Sequence, residues 1–289
     1  MSKKAKHVTM LQRSPTYYAS APDEDAVAIF LNKFLPRGFV YSLIRLRNVL
    51  FQQWMYKRAR SRPEKVKEFL LDRVKEELPN YNIQKHFTPS YNPWEQRMCL
   101  VPNSDLFEAI RQKDVSIVTD RREMFTKEGI ELKSGEVLKT DIIITATGIV
   151  LENFGGIEVK VDDSSVKVSE TMTYKSMMYS GIPNFVNSFG YINASWTLRA
   201  DLISEWVCKL INFMDQERSK SVTPIASDTV NWPEPKDWID DFSSGYMKRA
   251  MKNFPKQSKS QPWINSQDYR LEKKLFNQAL RDDKALIFH

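Results

Sequence analysis

The stretch Asp141–Gly148, DIIITATG, decides how the rest of the chain reads. Four β-branched residues in succession, Ile142 to Thr145, make a short apolar run of the kind that forms a buried strand. Asp141 starts it, and Ala146-Thr147-Gly148 closes it in small residues, which let a backbone or a ligand come close at a strand end. Upstream, Val115–Val118 reads as a strand. Glu123–Thr126, Gly129–Leu132 and Val137–Leu138 follow as a meander, turning at Lys127-Glu128-Gly129 and Ser134-Gly135. Downstream, Gly155-Gly156 marks a turn, Ile157–Val161 and Val166–Val168 a hairpin around Asp162-Asp163, and Phe185–Phe189 a further apolar strand.

The N-terminal part adds a short apolar run, Val8–Leu11, stopped by the turn at Pro15. Asp23–Pro79 is helical by pattern. Val27, Leu31, Phe34 and Leu35 form one stripe, and Leu43, Leu46, Leu50 and Trp54 a second. Val66, Phe69, Leu70, Val74 and Leu78 form a third. The Met, Trp and Phe residues here are expected in the core and the basic residues on the solvated face. Asp105–Ile110 is a short helix, and another starts near Trp196 with Leu198, Leu202, Trp206, Leu210 and Phe213 inward; Ser195 or Asn193 can cap it. Beyond Asp215 the chain turns polar. Trp232, Trp238 and Trp263 would anchor a tail that wraps the surface.

With 289 residues, 12% aromatics and only nine glycines, the chain is neither disordered nor of low complexity. Its net charge of +7 is local: Arg37–Glu77 holds eleven Lys/Arg and five Asp/Glu. Nucleic-acid binding is not expected, because no platform of exposed aromatics sits among these cations. The longest apolar stretch, Phe39–Tyr56, is broken by Arg45 and Arg47, so no transmembrane segment is expected. Cys99 and Cys208 are read as reduced core thiols of a cytoplasmic protein. Three dispersed histidines and two distant cysteines offer no metal-site spacing.

DIIITATG resembles the hinge strand of flavin-containing and Baeyer–Villiger monooxygenases, where the chain leaves the NADPH domain and re-enters the FAD domain. The most specific resemblance is HFTPSYNPWEQRMCLVPN, His86–Asn103. It is shared with the Baeyer–Villiger subgroup that includes the mycobacterial ethionamide-activating enzyme. GYINASWTLRADL at Gly190–Leu202, YKSMMYSGIPNF at Tyr174–Phe185 and QSKSQPWI at Gln257–Ile264 resemble it too. The resemblance implies an α/β fold that is part of a two-dinucleotide-binding-domain flavoprotein. Residues 1–147 would be an incomplete Rossmann-like NADPH domain with a helical insertion at about 23–79, and residues 148–289 the C-terminal part of the FAD domain plus its tail.

The same resemblance assigns candidate residues. In VTMLQRSPTY, Val8–Tyr17, Arg13 would pair with the 2′-phosphate of NADPH and Ser14 donate to it; otherwise Arg13 is an exposed turn arginine. Arg97 would lie beside the flavin, stabilising negative charge there and orienting the nicotinamide; otherwise it pairs with Asp105 or Glu95. Ala146, Thr147 and Gly148 would form the loop near the cofactors. Asn193, Ala194, Ser195, Trp196 and Thr197 would present a helix N-terminus to the flavin pyrimidine; otherwise this is a plain capped core helix. The implied chemistry is FAD reduction by NADPH, reaction with O2, and oxygen transfer to a ketone or to a soft sulfur or nitrogen.

One part of the family's pattern is absent. None of the nine glycines forms G-x-G-x-x-G, the loop a dinucleotide pyrophosphate needs. The expectation is a piece of a longer enzyme, truncated or completed by a separate polypeptide carrying the N-terminal FAD-binding half. The alternative is a non-catalytic remnant whose basic helical segment is an interaction module.

Overall fold

The computed structural model describes residues 1–96, 98–226, 234–240 and 242–289. The chain divides into two compact units, Met1–Thr147 and Gly148–His289. In chain order the first carries β1 (Val8–Gln12), β2 (Tyr18–Ala21), α1 (Ala26–Leu31), α2 (Arg37–Ser61), α3 (Pro63–Glu77), α4 (Ile83–His86) and β3 (Cys99–Pro102). It continues with α5 (Asp105–Arg111), β4 (Val115–Thr119), β5 (Arg122–Phe125), β6 (Gly129–Leu132) and β7 (Val137–Lys139).

Two parallel pairs set this unit's frame. β1 runs beside β4, from Val8 opposite Val115 to Gln12 opposite Thr119, and β2 beside β3, from Tyr18 opposite Cys99 to Ala21 opposite Pro102. Parallel partners need long crossovers, and the β2-to-β3 crossover contains the helices α1 to α4. Asp25 starts α1 by accepting from the Val27 and Ala28 amides, and Pro63 opens α3 at a position where a missing N–H costs nothing. Val74 and Leu78 pack with Phe87, Val101, Phe107, Ile110 and Ile117 beneath the strands, while Val66 and Leu70 close over Tyr17 and Ala59. β5, β6 and β7 form the expected antiparallel meander. Gly129 is obligatory in it: a Cβ there would lie 1.9 Å from the Leu138 carbonyl oxygen.

The second unit holds β8 (Val159–Val161), β9 (Ser164–Val166), β10 (Thr173–Tyr174), β11 (Met178–Tyr179), α6 (Trp196–Glu217), β12 (Val222–Pro224) and β13 (Lys236–Asp237). After these come α7 (Gly245–Ala250), β14 (Lys256–Gln257), α8 (Tyr269–Phe276) and β15 (Leu286–Phe288). β8 and β9 make the hairpin expected around Asp162-Asp163, both of which take positive φ. α6 buries Leu202, Ile203, Trp206 and Leu210 against Met172, Tyr174, Met177, Met178, Trp263, Phe276 and Leu286.

Several expectations fail. Ile142–Thr145 forms no strand: Ile142 is 77% and Ile144 61% exposed, and no backbone–backbone hydrogen bond joins Ile142–Leu151 to any described residue. A run apolar on both faces needs strands beside it and cover on both sides, and this chain brings neither to it. Phe185–Phe189 is likewise not a strand. The helical insertion forms, and Val66, Leu70, Val74 and Leu78 of its third stripe are core, but Phe30, Phe34, Phe39, Leu43, Leu46, Leu50, Phe51, Trp54 and Phe69 are exposed, and α2 buries only Val40, Val49 and Ala59. Helical spacing defines a stripe but not what covers it.

Both cysteines are exposed free thiols rather than core residues. The C-terminal stretch does more than wrap a surface. Trp238, Phe242, Met247, Ala250, Met251 and Phe254 build a second core of the unit, and Trp263 sits in the first. Trp232 lies outside the described residues.

Candidate functional site

Arg13 and Ser14 leave the C-terminal end of β1 as an exposed turn, and neither has a hydrogen-bond or ion-pair partner among the described residues. The strand before them is fixed by register with β4 and by Gln12, whose side-chain amide donates to the His86 carbonyl at 2.7 Å and to Thr119 Oγ1 at 2.8 Å. A cation and a hydroxyl held bare at the end of a parallel strand suit a phosphate ester. Arg97 lies outside the described residues. Ala146, Thr147 and Gly148 are exposed, Gly148 with φ +106°, at the junction of the two units.

The start of α6 is built in more detail. Ser195 occupies the N-cap with extended backbone, but its hydroxyl caps nothing: it lies 2.9 Å from Thr197 Oγ1. Asn193 does not cap either; its side-chain amide donates to the Gln267 carbonyl at 3.0 Å. The Trp196 and Thr197 amides therefore have no partner among the described residues, and Ser195, Trp196 and Thr197 are exposed. A 22-residue helix left uncapped this way presents partial positive charge and open donors. Such an end fits the carbonyl and ring nitrogen of a flavin pyrimidine.

The turn leading into this helix is rigid. Gly190 is forced, since a Cβ would lie 2.3 Å from Trp196 Cγ and 2.6 Å from its Cα. Phe189 packs on Trp196 with ring centroids 4.7 Å apart. The Ile192 amide donates to Gln267 Oε1 at 2.8 Å. Beneath lies a polar knot that sequence patterning does not show. Arg199 is wholly buried in the first turns of α6, its guanidinium 4.3 Å from the Tyr191 ring centre. It pairs with Glu272 of α8 through Nη2 to Oε1 and through Nε to Oε2 at 2.9 Å, and Nη2 also donates to Asn265 Oδ1 at 2.9 Å. Glu272 accepts from Tyr191 Oη at 2.5 Å and from Ser266 Oγ at 2.9 Å. Burial, then the Glu272 charge, pushes the Tyr191 phenol far up in pKa, so it stays a donor. The signal in the sequence is an arginine on the apolar face, at the spacing Trp196-Arg199-Ile203; its partner 73 residues away is not readable.

A separate concavity of about 500 Å³ in the same unit is lined by Lys175, Trp263, Leu275 and Asp283. Asp283 accepts from Tyr174 Oη at 2.6 Å and from Lys175 Nζ at 3.1 Å, and burial pushes the Lys175 amine down in pKa despite that carboxylate. None of the candidate site residues lines it. Among the described residues, no three His, Cys, Asp or Glu side chains gather as a metal site, and no helix is long and apolar enough to cross a membrane.

No family model matches the chain. It is 46% identical over 287 residues to the FAD-containing monooxygenase EthA of Mycobacterium tuberculosis, covering 98% of this chain and 58% of that protein. It is 41% identical over 284 residues to the probable FAD-binding monooxygenase AlmA of Acinetobacter baylyi, again over 98% of this chain and 57% of the relative. Among solved structures, an oxidized steroid monooxygenase bound to NADP superposes with a TM-score of 0.72 at 15% identity, covering 99% of this chain and 63% of that one. OTEMO in complex with FAD and NADP gives 0.69 at 14% identity, covering all of this chain and 63% of the other. These last two show a shared fold. The chain is thus a homologue of the FAD-containing monooxygenases along nearly all of its own length, and it spans 58% of the length of the mycobacterial relative.

Proposed function

We propose that this chain is the C-terminal part of an FAD- and NADPH-dependent monooxygenase, its first unit the NADPH side and its second the end of the FAD domain. The observation that carries the reading is the 46% identity to an FAD-containing monooxygenase sustained over 98% of the chain. The geometry agrees with it in two places. Arg13 and Ser14, bare at the end of β1, bind and orient the 2′-phosphate of NADPH. The uncapped start of α6, with Asn193, Ala194, Ser195, Trp196 and Thr197, directs open amides and partial positive charge at the flavin pyrimidine. Arg97 is proposed to add a fixed positive charge beside the flavin, and Ala146–Gly148 to allow the chain's close passage there. The flavin, when bound, supplies the reaction with O2 and the oxygen transfer. Its pyrophosphate is gripped elsewhere, because this chain lacks the glycine-rich fingerprint.

The substrate class proposed is a ketone for Baeyer–Villiger insertion, or a soft sulfur or nitrogen centre. Two free cysteines suit a reducing compartment, which we take to be the cytoplasm. The test is reconstitution. The chain is fused to, or mixed with, the upstream half of a relative that carries the glycine-rich loops, and flavin absorbance and NADPH oxidation are measured. Yellow protein that oxidises NADPH, and loses preference for NADPH over NADH on Arg13→Ala, is expected. A folded, flavin-loaded fusion that does not oxidise NADPH would overturn the reading.

A further inference from the structure

We propose that the outer face of α2 docks this chain on an anionic lipid surface, an interaction that goes beyond the cofactor reading and does not depend on it. Phe39, Leu43, Leu46, Leu50 and Trp54 are each between 43% and 59% exposed. At 3.6 residues per turn they fall within about 80° of the helix circumference, a continuous apolar stripe. Outside the stripe, α2 buries Val40, Val49 and Ala59 in the unit. Phe30 of α1 and Phe34 just beyond it form a second exposed aromatic pair, 5.4 Å between ring centres.

Charge selects the occupant. The 25 residues of α2 contain six Lys/Arg (Arg37, Arg45, Arg47, Lys57, Arg58 and Arg60) and no Asp or Glu. Arg58 borders the stripe beside Trp54 and Lys57 closes its C-terminal end, whereas Arg47, beside Leu50, is ion-paired to Asp25. Arg58 sits 5.8 Å over the Trp54 ring. Long cationic side chains flanking an apolar stripe reach lipid phosphates while their stems and an indole lie at the headgroup level. Nucleic acid fits less well. Three of the five stripe residues are leucines, which cannot stack on bases, and an apolar stripe gains nothing from phosphate. A helix 25 residues long lying in the interface plane needs no spanning segment.

Flotation of the full chain with lipid vesicles tests this, using phosphatidylcholine alone and phosphatidylcholine with phosphatidylglycerol. The chain is expected to float with the anionic vesicles at low salt and far less with neutral ones. L43Q/L46Q/L50Q keeps good helix formers at exposed positions, so circular dichroism should be unchanged while the partition coefficient falls at least about ten-fold. K57Q/R60Q should lower it by about five-fold per cation, as should added salt. I142S/I144S, which removes the other exposed apolar run, should float like the parent. The proposal is overturned if the parent does not float, or if it floats as well when the three leucines are replaced. Flotation lost in I142S/I144S instead, or a dimer in solution that L43Q/L46Q/L50Q dissociates without any flotation of the parent, also overturns it; the last result would assign the face to a second copy.

Discussion

Arg199 shows how a single side chain sets the geometry of the α6 start. It is fully buried, and its partner Glu272 is nearly so, each held by neutral groups as well as by the other. A buried pair contributes little relative to well-packed apolar residues, but removing one partner strands the other charge. E272L should therefore cost about 3–5 kcal/mol in urea unfolding, whereas R199M/E272L should recover much of that loss. Equal losses in the single and double variants would mean the pair is not coupled. His86 gives a pH-dependent counterpart in the first unit. Its Nδ1 lies 2.8 Å from Thr119 Oγ1, and burial, with a lesser contribution from Lys85, holds the imidazole below its ordinary value near 6.5. Below that value the unfolded chain takes up the proton more readily than the folded one. The associated stability is thus complete above about pH 6.5 and is lost as pH falls through the window beneath it. The melting temperature of the parent minus that of H86N should shrink between pH 7.5 and pH 5.5, with His7 and His289 common to both proteins. A constant difference would show that His86 titrates as it does in the unfolded chain.

At the scale of elements, α6 is a helix whose start is held by what precedes it rather than by a cap. Ser195 makes no capping bond, so S195A should change stability by less than about 0.5 kcal/mol, where a capping serine would cost about 1 kcal/mol. Gly190→Ala should cost about 1–3 kcal/mol, because its Cβ meets Trp196 backbone as well as ring. Chemical denaturation of the two variants separates these cases, and the reverse order would place a working cap at Ser195. The pattern that reveals α6 also reveals α1, α2, α3 and α5, since each carries an apolar stripe at helical spacing or a recognisable start such as Asp25 or Pro63. The meander through Gly129 and the Asp162-Asp163 hairpin are equally readable from turn chemistry. What the residues did not disclose is which stripe meets protein. Leu43, Leu46, Leu50 and Trp54 look like core by spacing and stand in solvent, because burial depends on a neighbour and not on the helix itself. The Arg199–Glu272 pairing was hidden for a related reason: it is long-range, and local pattern carries no register between α6 and α8.

For the molecule as a whole, the telling segment is the one that joins the units. Each unit has its own hydrophobic cores, and in the chain between them Ile142–Leu151 runs without a backbone–backbone hydrogen bond to any described residue, its apolar side chains largely exposed. A run this rich in β-branched residues gains most from a ladder and from cover on both faces, and here it has neither. Accessible extended backbone is also what a protease binds, since it must lie in the active site as a strand. Thermolysin, which cuts before large aliphatic residues, should therefore make its first cut within Ile142–Leu151, releasing two resistant pieces that N-terminal sequencing locates. The exposed leucines of α2 should be cut later, because their backbone is locked in helical hydrogen bonds. Supplying the glycine-rich upstream half of a relative should slow that first cut strongly if it pairs with this segment as sheet, and the slowing should be lost in I142K/I144K while cleavage elsewhere is unchanged. A first cut within α2, or a cut at Ile142–Leu151 indifferent to the added half, would mean that this run is a plain linker and that its apolar sequence answers to something other than a missing sheet.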